Sequence, residues 1–179
     1  MTEISYGQMF FAISVLWIIA RALCWIKVKR IDIKREARLL FVYICFVVVA
    51  RFTFFPMLRV NGALQNLVFD PALAFPFRIN IIPFVNLFDY PVMSAALLNI
   101  IGNTAMFVPL GIVWPAVYRG LDSHIKVIVA GIGVSLFIEI LQLPFFDRVS
   151  DIDDLILNSL GFILGYGIYL IWRKRKSTD

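Results

Sequence analysis

The chain has 179 residues, 61% hydrophobic and 16% charged, and its 17 Lys and Arg outweigh 12 Asp and Glu to give a net charge of +5. A mean hydropathy of +0.86 excludes a disordered tail and a water-soluble globule, because so few charges cannot clothe a core containing 17 Phe and 4 Trp. The basic excess does not point to nucleic acid: no basic helix or aromatic RNA-binding motif is present, and the Lys and Arg flank apolar runs.

Crossing a hydrocarbon core takes about 20 apolar residues in helical form, and five stretches qualify. The first, 9–26, is interrupted by Arg21. It is not a cleaved signal, since residues 1–8 carry Glu3 and no basic residue, and Arg21-Ala22-Leu23-Cys24 fits neither a small-residue cleavage site nor a lipoprotein box. A basic loop with Lys27, Lys29, Arg30, Lys34, Arg35 and Arg38 leads to the second span, 39–58, which contains Arg51. The connection 59–94 is apolar in pieces too short to span, and Pro71, Pro76, Pro83 and Pro91 interrupt any long helix, so an interfacial or re-entrant cap is expected there. The third span, 95–118, contains Pro109 and Pro115; the fourth, 127–146, contains Pro144; the fifth is 155–172. These prolines are expected to kink their helices. His124 falls in the loop between spans three and four with no second His or Cys to make a metal site, and Cys24 and Cys45 read as packing thiols.

The loops after spans one and three and the tail share one side and carry 12 of the 17 basic residues, so the positive-inside rule makes them cytoplasmic. The expectation is therefore an all-α integral membrane protein of the cell membrane: a five-span helical bundle, N-terminus extracellular and C-terminus cytoplasmic, with an extracellular cap between spans two and three.

Polar groups are costly inside a bilayer, so their depth carries information. Arg51 and Glu139 lie at one level, about 10 Å below the outer end of their spans at about 1.5 Å per residue. Asn99 and Asn103 share one helix face, as do Glu139 and Gln142, and Asn158 enters the fifth span a turn below Asp154. Arg148, Asp151 and Asp153 lie just outside. Two readings compete: glue, with Asn and Gln bonding across helices and Arg51 neutralising Glu139, or an outward-facing polar pocket floored near Arg51, Asn103 and Glu139. Interhelical hydrogen bonds average only about 0.6 kcal/mol, which favours the pocket. Gly161 and Gly165 form a small-xxx-small face for close packing, and Gly102 and Gly111 are assigned to helix packing with them.

Three blocks resemble the VanZ-like family of bacterial membrane proteins. They are Arg78-Ile79-Asn80-Ile81-Ile82-Pro83-Phe84; Asn99-x-x-Gly102-Asn103 with Phe107-x-Pro109-Leu110-Gly111; and Glu139-x-x-Gln142 with Arg148, Asp151, Asp153, Asp154, Asn158 and Gly161. The resemblance divides the chain into an N-terminal helix and basic loop (1–38), the family's membrane domain (39–172) and a basic tail (173–179). It implies a role in low-level teicoplanin-type glycopeptide resistance or in handling envelope lipids and wall precursors, and adds Asn80 to the candidate pocket. The implied partners are membrane lipids and a lipid-linked wall precursor or glycopeptide; no cofactor, metal or nucleic acid is implied.

Three mechanisms are compatible with these residues. A non-enzymatic envelope protein, the favoured one, would bind a head group or wall precursor at the pocket. An intramembrane hydrolase or transferase acting on a lipid phosphate would use Glu139, Asp151, Asp153 and Asp154 around a divalent cation, or Glu139 as base with Arg148 on the phosphate; no Ser, Cys and His constellation supplies a nucleophile. A small lipid flippase or transporter would couple acid and base at one depth.

Overall fold

The computed structural model describes residues 1–55, 65–85, 93–118 and 120–176; Pro91, named above, and the end of the tail lie outside them. Five helices long and apolar enough to cross a membrane form the molecule: α1 (Tyr6–Val28), α2 (Ile33–Phe54), α3 (Met93–Val117), α4 (His124–Gln142) and α5 (Ile152–Lys176). Their polar ends explain where they start. Ser5 opens α1 with a capping box, its hydroxyl accepting the Gln8 N–H at 3.3 Å while the Gln8 side chain accepts the Ser5 N–H at 2.8 Å. Asp32 and Ser123 cap α2 and α4 by accepting the N–H of Arg35 and Lys126. Asp153 and Asp154 in the first turn of α5 and Arg173–Lys176 in its last both complement the helix dipole.

These caps lengthen the helices beyond the apolar runs, and two expectations change. His124 is the first residue of α4 rather than a loop residue, with its Nδ1 2.9 Å from the Tyr166 hydroxyl. Pro144 lies past the end of α4, so it terminates the helix instead of kinking it. Pro109 and Pro115 are inside α3 as expected.

Four short strands, too brief to be read from sequence alternation, gather at one end of the bundle. β1 (Thr2–Ile4) pairs antiparallel with β2 (Leu67–Phe69), and β3 (Ile79–Asn80) pairs parallel with β4 (Ser150–Asp151). They tie the described part of the α2–α3 connection to the N-terminus on one side and to the α4–α5 connection on the other. We call this the ribbon end, and the opposite end, where Arg and Lys collect, the basic end.

Helices α2 to α5 bury the core, including Val42, Val49, Phe107, Leu110 and Phe162. The tightest contact is the α3–α5 seam. A Cβ built on Gly161 would lie 2.0 Å from the Thr104 carbonyl oxygen, and one on Gly165 2.0 Å from that of Val108. Only glycine lets the two backbones approach this far. Gly111 belongs to the same seam, facing the Phe162 carbonyl. Gly102 does not: among the described residues nothing lies near its absent Cβ, so its packing assignment is corrected, because its helix phase turns it away from α5. By contrast α1 buries none of its residues and leans on α2 through Trp17 against Tyr43 and a 2.7 Å Ser14–Tyr43 hydroxyl contact.

Candidate functional site

Most of the predicted polar residues meet at the ribbon end, where α3, α4 and α5 converge under the paired strands. Glu139, 3% exposed, accepts the backbone N–H of Asp151 at 2.9 Å. The Asp151 carboxylate in turn accepts both a bond from Asn80 Nδ2, 3.2 and 3.1 Å from its two oxygens, and the N–H of Asp153 at 2.9 Å. Asp153 Oδ1 accepts the N–H of Phe84 at 2.8 Å, holding that residue at a φ of 66°, a left-handed conformation uncommon for a bulky side chain. Asp154 Oδ1 accepts from Asn103 Nδ2 at 2.5 Å, and the same nitrogen reaches Asn99 Oδ1 at 3.0 Å. A chain of contacts thus links β3, β4, α3, α4 and the start of α5, positioned by the glycine seam directly beneath.

A second group binds the end of α2. Gln142 Nε2 donates to the Thr53 carbonyl at 2.7 Å, and Arg148 donates twice to the Phe54 carbonyl, at 3.0 and 2.7 Å. Burial holds the Arg148 guanidinium below its usual pKa against the pull of Asp154 and Asp147. Both of its bonds are spent on backbone that a helix end would otherwise leave unsatisfied.

The expected Arg51–Glu139 pair is corrected. Arg51 Nη1 donates to the Phe55 carbonyl at 3.0 Å, and its guanidinium faces the rings of Tyr6 and Phe52 at 5.8 and 5.5 Å. It sits on the α1 side of α2, whereas Glu139 points into the four-helix core. Position along a helix does not fix the direction a side chain takes around it. Nor do the acids gather as a cation would require: among the described residues, no three His, Cys, Asp or Glu side chains are grouped as metal ligands.

Several buried acceptors are left over. Gln142 Oε1, Asp153 Oδ2 and Asn158 Oδ1 have no hydrogen-bond partner among the described residues, and Asn158 is only 1% exposed. Each such group carries a desolvation cost of about 1–3 kcal/mol. Arg78 Nε and the Ser135 and Ser159 hydroxyls are likewise buried without a partner among the described residues, so both acceptors and donors are left for water or a polar group.

Sequence reasoning did not assign Arg78 to the site, yet it fastens the loop: its guanidinium donates to the Phe146 and Phe145 carbonyls at 2.8 and 2.5 Å, and its own carbonyl accepts the Ser150 N–H at 3.2 Å. The available signal was its isolation, an arginine two residues before Asn80 on the side poor in basic residues. Thr53 and Phe84 were also missed, since they contribute backbone groups that any residue type supplies.

A family model described as VanZ/LLP1 matches residues 40–173. No curated protein and no solved structure matches the chain.

Proposed function

Because the chain belongs to the VanZ/LLP1 family, and its five helices make it a multi-pass membrane protein, we propose that it is a non-enzymatic envelope protein whose ribbon end faces outward and binds a lipid head group or lipid-linked wall precursor. In that role it lowers glycopeptide access and gives low-level resistance of the teicoplanin type. The orientation rests on the basic end being the cytoplasmic one, and the strand-tied 65–85 segment then serves as the outer cap.

The observation that carries the reading is the buried layer joining Glu139, Asp151, Asn80, Asp153, Asn103 and Asp154, with unpaired acceptors on Gln142, Asp153 and Asn158. The unpaired acceptors suit a ligand that donates, as the hydroxyls and amide N–H groups of a sugar–peptide wall precursor do. Glu139→Gln keeps an oxygen for the Asp151 N–H while removing the charge, so it separates function from folding. Produced at equal membrane levels in a glycopeptide-sensitive host, Glu139→Gln and Asp154→Asn are expected to lose the protection conferred by the unaltered chain. Unchanged susceptibility and unchanged glycopeptide binding to cells would sink the proposal.

A further inference from the structure

A second feature lies at the other end of the molecule from the acidic layer. A cleft of about 1140 Å³ is enclosed by the end of α1, the start of α2 and the end of α3, somewhat above the range of about 300–1,000 Å³ common for ligand pockets. Four arginines line it, Arg21, Arg30, Arg35 and Arg38, against two acids, Asp32 and Glu36. The acids are already engaged. Glu36 accepts from Arg21, with Nε–Oε2 at 2.9 Å and a second contact from Nη2, and Asp32 caps α2. Arg38 is also engaged, donating to the Ala116 carbonyl at the end of α3 at 3.3 Å. Among the described residues no hydrogen bond or ion pair occupies the guanidiniums of Arg30 and Arg35. The cleft therefore has at its rim two guanidiniums with donors to spare, Arg35 within electrostatic reach of Glu36 and Tyr118.

Its depth is equally informative. From Arg38 to Phe46, both lining residues, α2 rises about 12 Å at about 1.5 Å per residue, so the cleft runs from a charged rim at the helix ends to an aromatic floor of Phe46 and Trp114, whose rings meet edge to face. A free anion would use only the rim. A molecule with a phosphate at one end and hydrocarbon at the other uses both, and the helix ends put the rim where lipid phosphates lie. Basic pockets between helices at the cytoplasmic surface are a recognised way of holding anionic head groups, and arginine matches phosphate with paired donors.

We infer that this cleft holds one anionic phospholipid, its phosphate on Arg30 and Arg35 and the first part of its acyl chains against Phe46 and Trp114. Most of the rim belongs to residues before position 40, outside the family match, so the site is an addition made by α1 and its loop. It does not depend on the function proposed for the ribbon end.

The test is native mass spectrometry of the full chain in neutral detergent with phosphatidylglycerol, phosphatidylcholine or glycerol phosphate. One phosphatidylglycerol is expected to be retained, and Arg30→Ala with Arg35→Ala to weaken it by about tenfold or more. Lys27→Ala with Lys34→Ala, in the same hairpin but not lining the cleft, is expected to leave it nearly unchanged. Equal loss in both double variants would reduce the effect to general surface charge, and phosphatidylcholine held as tightly would remove the role of the anion. Displacement by equimolar glycerol phosphate would make the occupant a free phosphate ester; each outcome overturns the inference. Cys24 gives a check needing no substitution. It lines the cleft and is exposed while Cys45 is buried, so phosphatidylglycerol is expected to slow maleimide labelling of Cys24 severalfold; lipid retained with labelling unchanged would place it elsewhere and refute the site.

Discussion

Gly161→Ala puts the link between packing and site to a direct test. The added Cβ would fall 2.0 Å from the Thr104 carbonyl oxygen, 2.8 Å from its carbon and 3.1 Å from its Cα, whereas C···O contacts settle at about 3.3 Å or more. All three obstacles are backbone, so no rotamer change relieves them, and α3 and α5 must part by about 1.3 Å. Asn103 precedes Thr104, and its 2.5 Å bond to Asp154 would lengthen by a similar amount, out of hydrogen-bond range. Overpacking costs about 1–3 kcal/mol and a lost bond to a charged group about 1.5–3 kcal/mol, offset by about 1 kcal/mol of better helix propensity. The net loss is on the order of 3 kcal/mol, or on the order of 10 °C in the melting midpoint for a chain of this length. Gly102→Ala, which meets open space, gains the propensity without the clash and serves as the matched control. Circular dichroism melts in detergent measure both. A Gly161→Ala midpoint within about 2 °C of the Gly102→Ala midpoint would refute the claim that the seam positions the site.

Arg51→Ala combined with Glu139→Gln is expected to be additive to within about 0.5 kcal/mol, since the two side chains do not touch; rescue in the double variant, read in the same melts, would restore the pair that the structure breaks. Asp153→Asn is expected to melt close to the parent, because its oxygen still accepts the Phe84 N–H, while Asp153→Ala loses about 1–3 kcal/mol; equal midpoints for the two would show that bond to be idle. Arg148→Ala strips the Phe54 carbonyl of two donors and is expected to destabilise by about 1–3 kcal/mol, with amide exchange rising first at the last turn of α2. Exchange rising uniformly along the chain would contradict a local anchoring role.

The five spans were legible because a bilayer demands long apolar runs, and only their ends moved, where Ser5, Asp32 and Ser123 capped turns that hydropathy does not weigh. The strands were not legible: two or three residues give no alternation to detect, and the β3–β4 pairing joins positions about seventy residues apart. The site was half legible. Asn103 with Asn99 and Glu139 with Gln142 followed from helical spacing, but the partners of Glu139, Gln142 and Arg148 are backbone groups of Asp151, Thr53 and Phe54, which leave no trace in residue type. Gly102 and Gly161 both follow an Asn by three residues, and only helix phase separates the glycine facing open space from the one against Thr104. The basic loop was read solely as a topology signal, because the cleft within it exists only once α1, α2 and α3 are together.

The two ribbons also set an order of assembly. During synthesis β1 and β2 are both present once residue 69 has been made, so that ribbon needs no later segment to supply a strand. β3 must wait for residues 150 and 151, by which time α4 has already been built. Through that interval Glu139 lacks the Asp151 N–H and Asn103 lacks Asp154. A nascent chain halted before β4 therefore leaves Glu139 without that donor, and it is the last strand, ahead of the last helix, that closes the bond on α4.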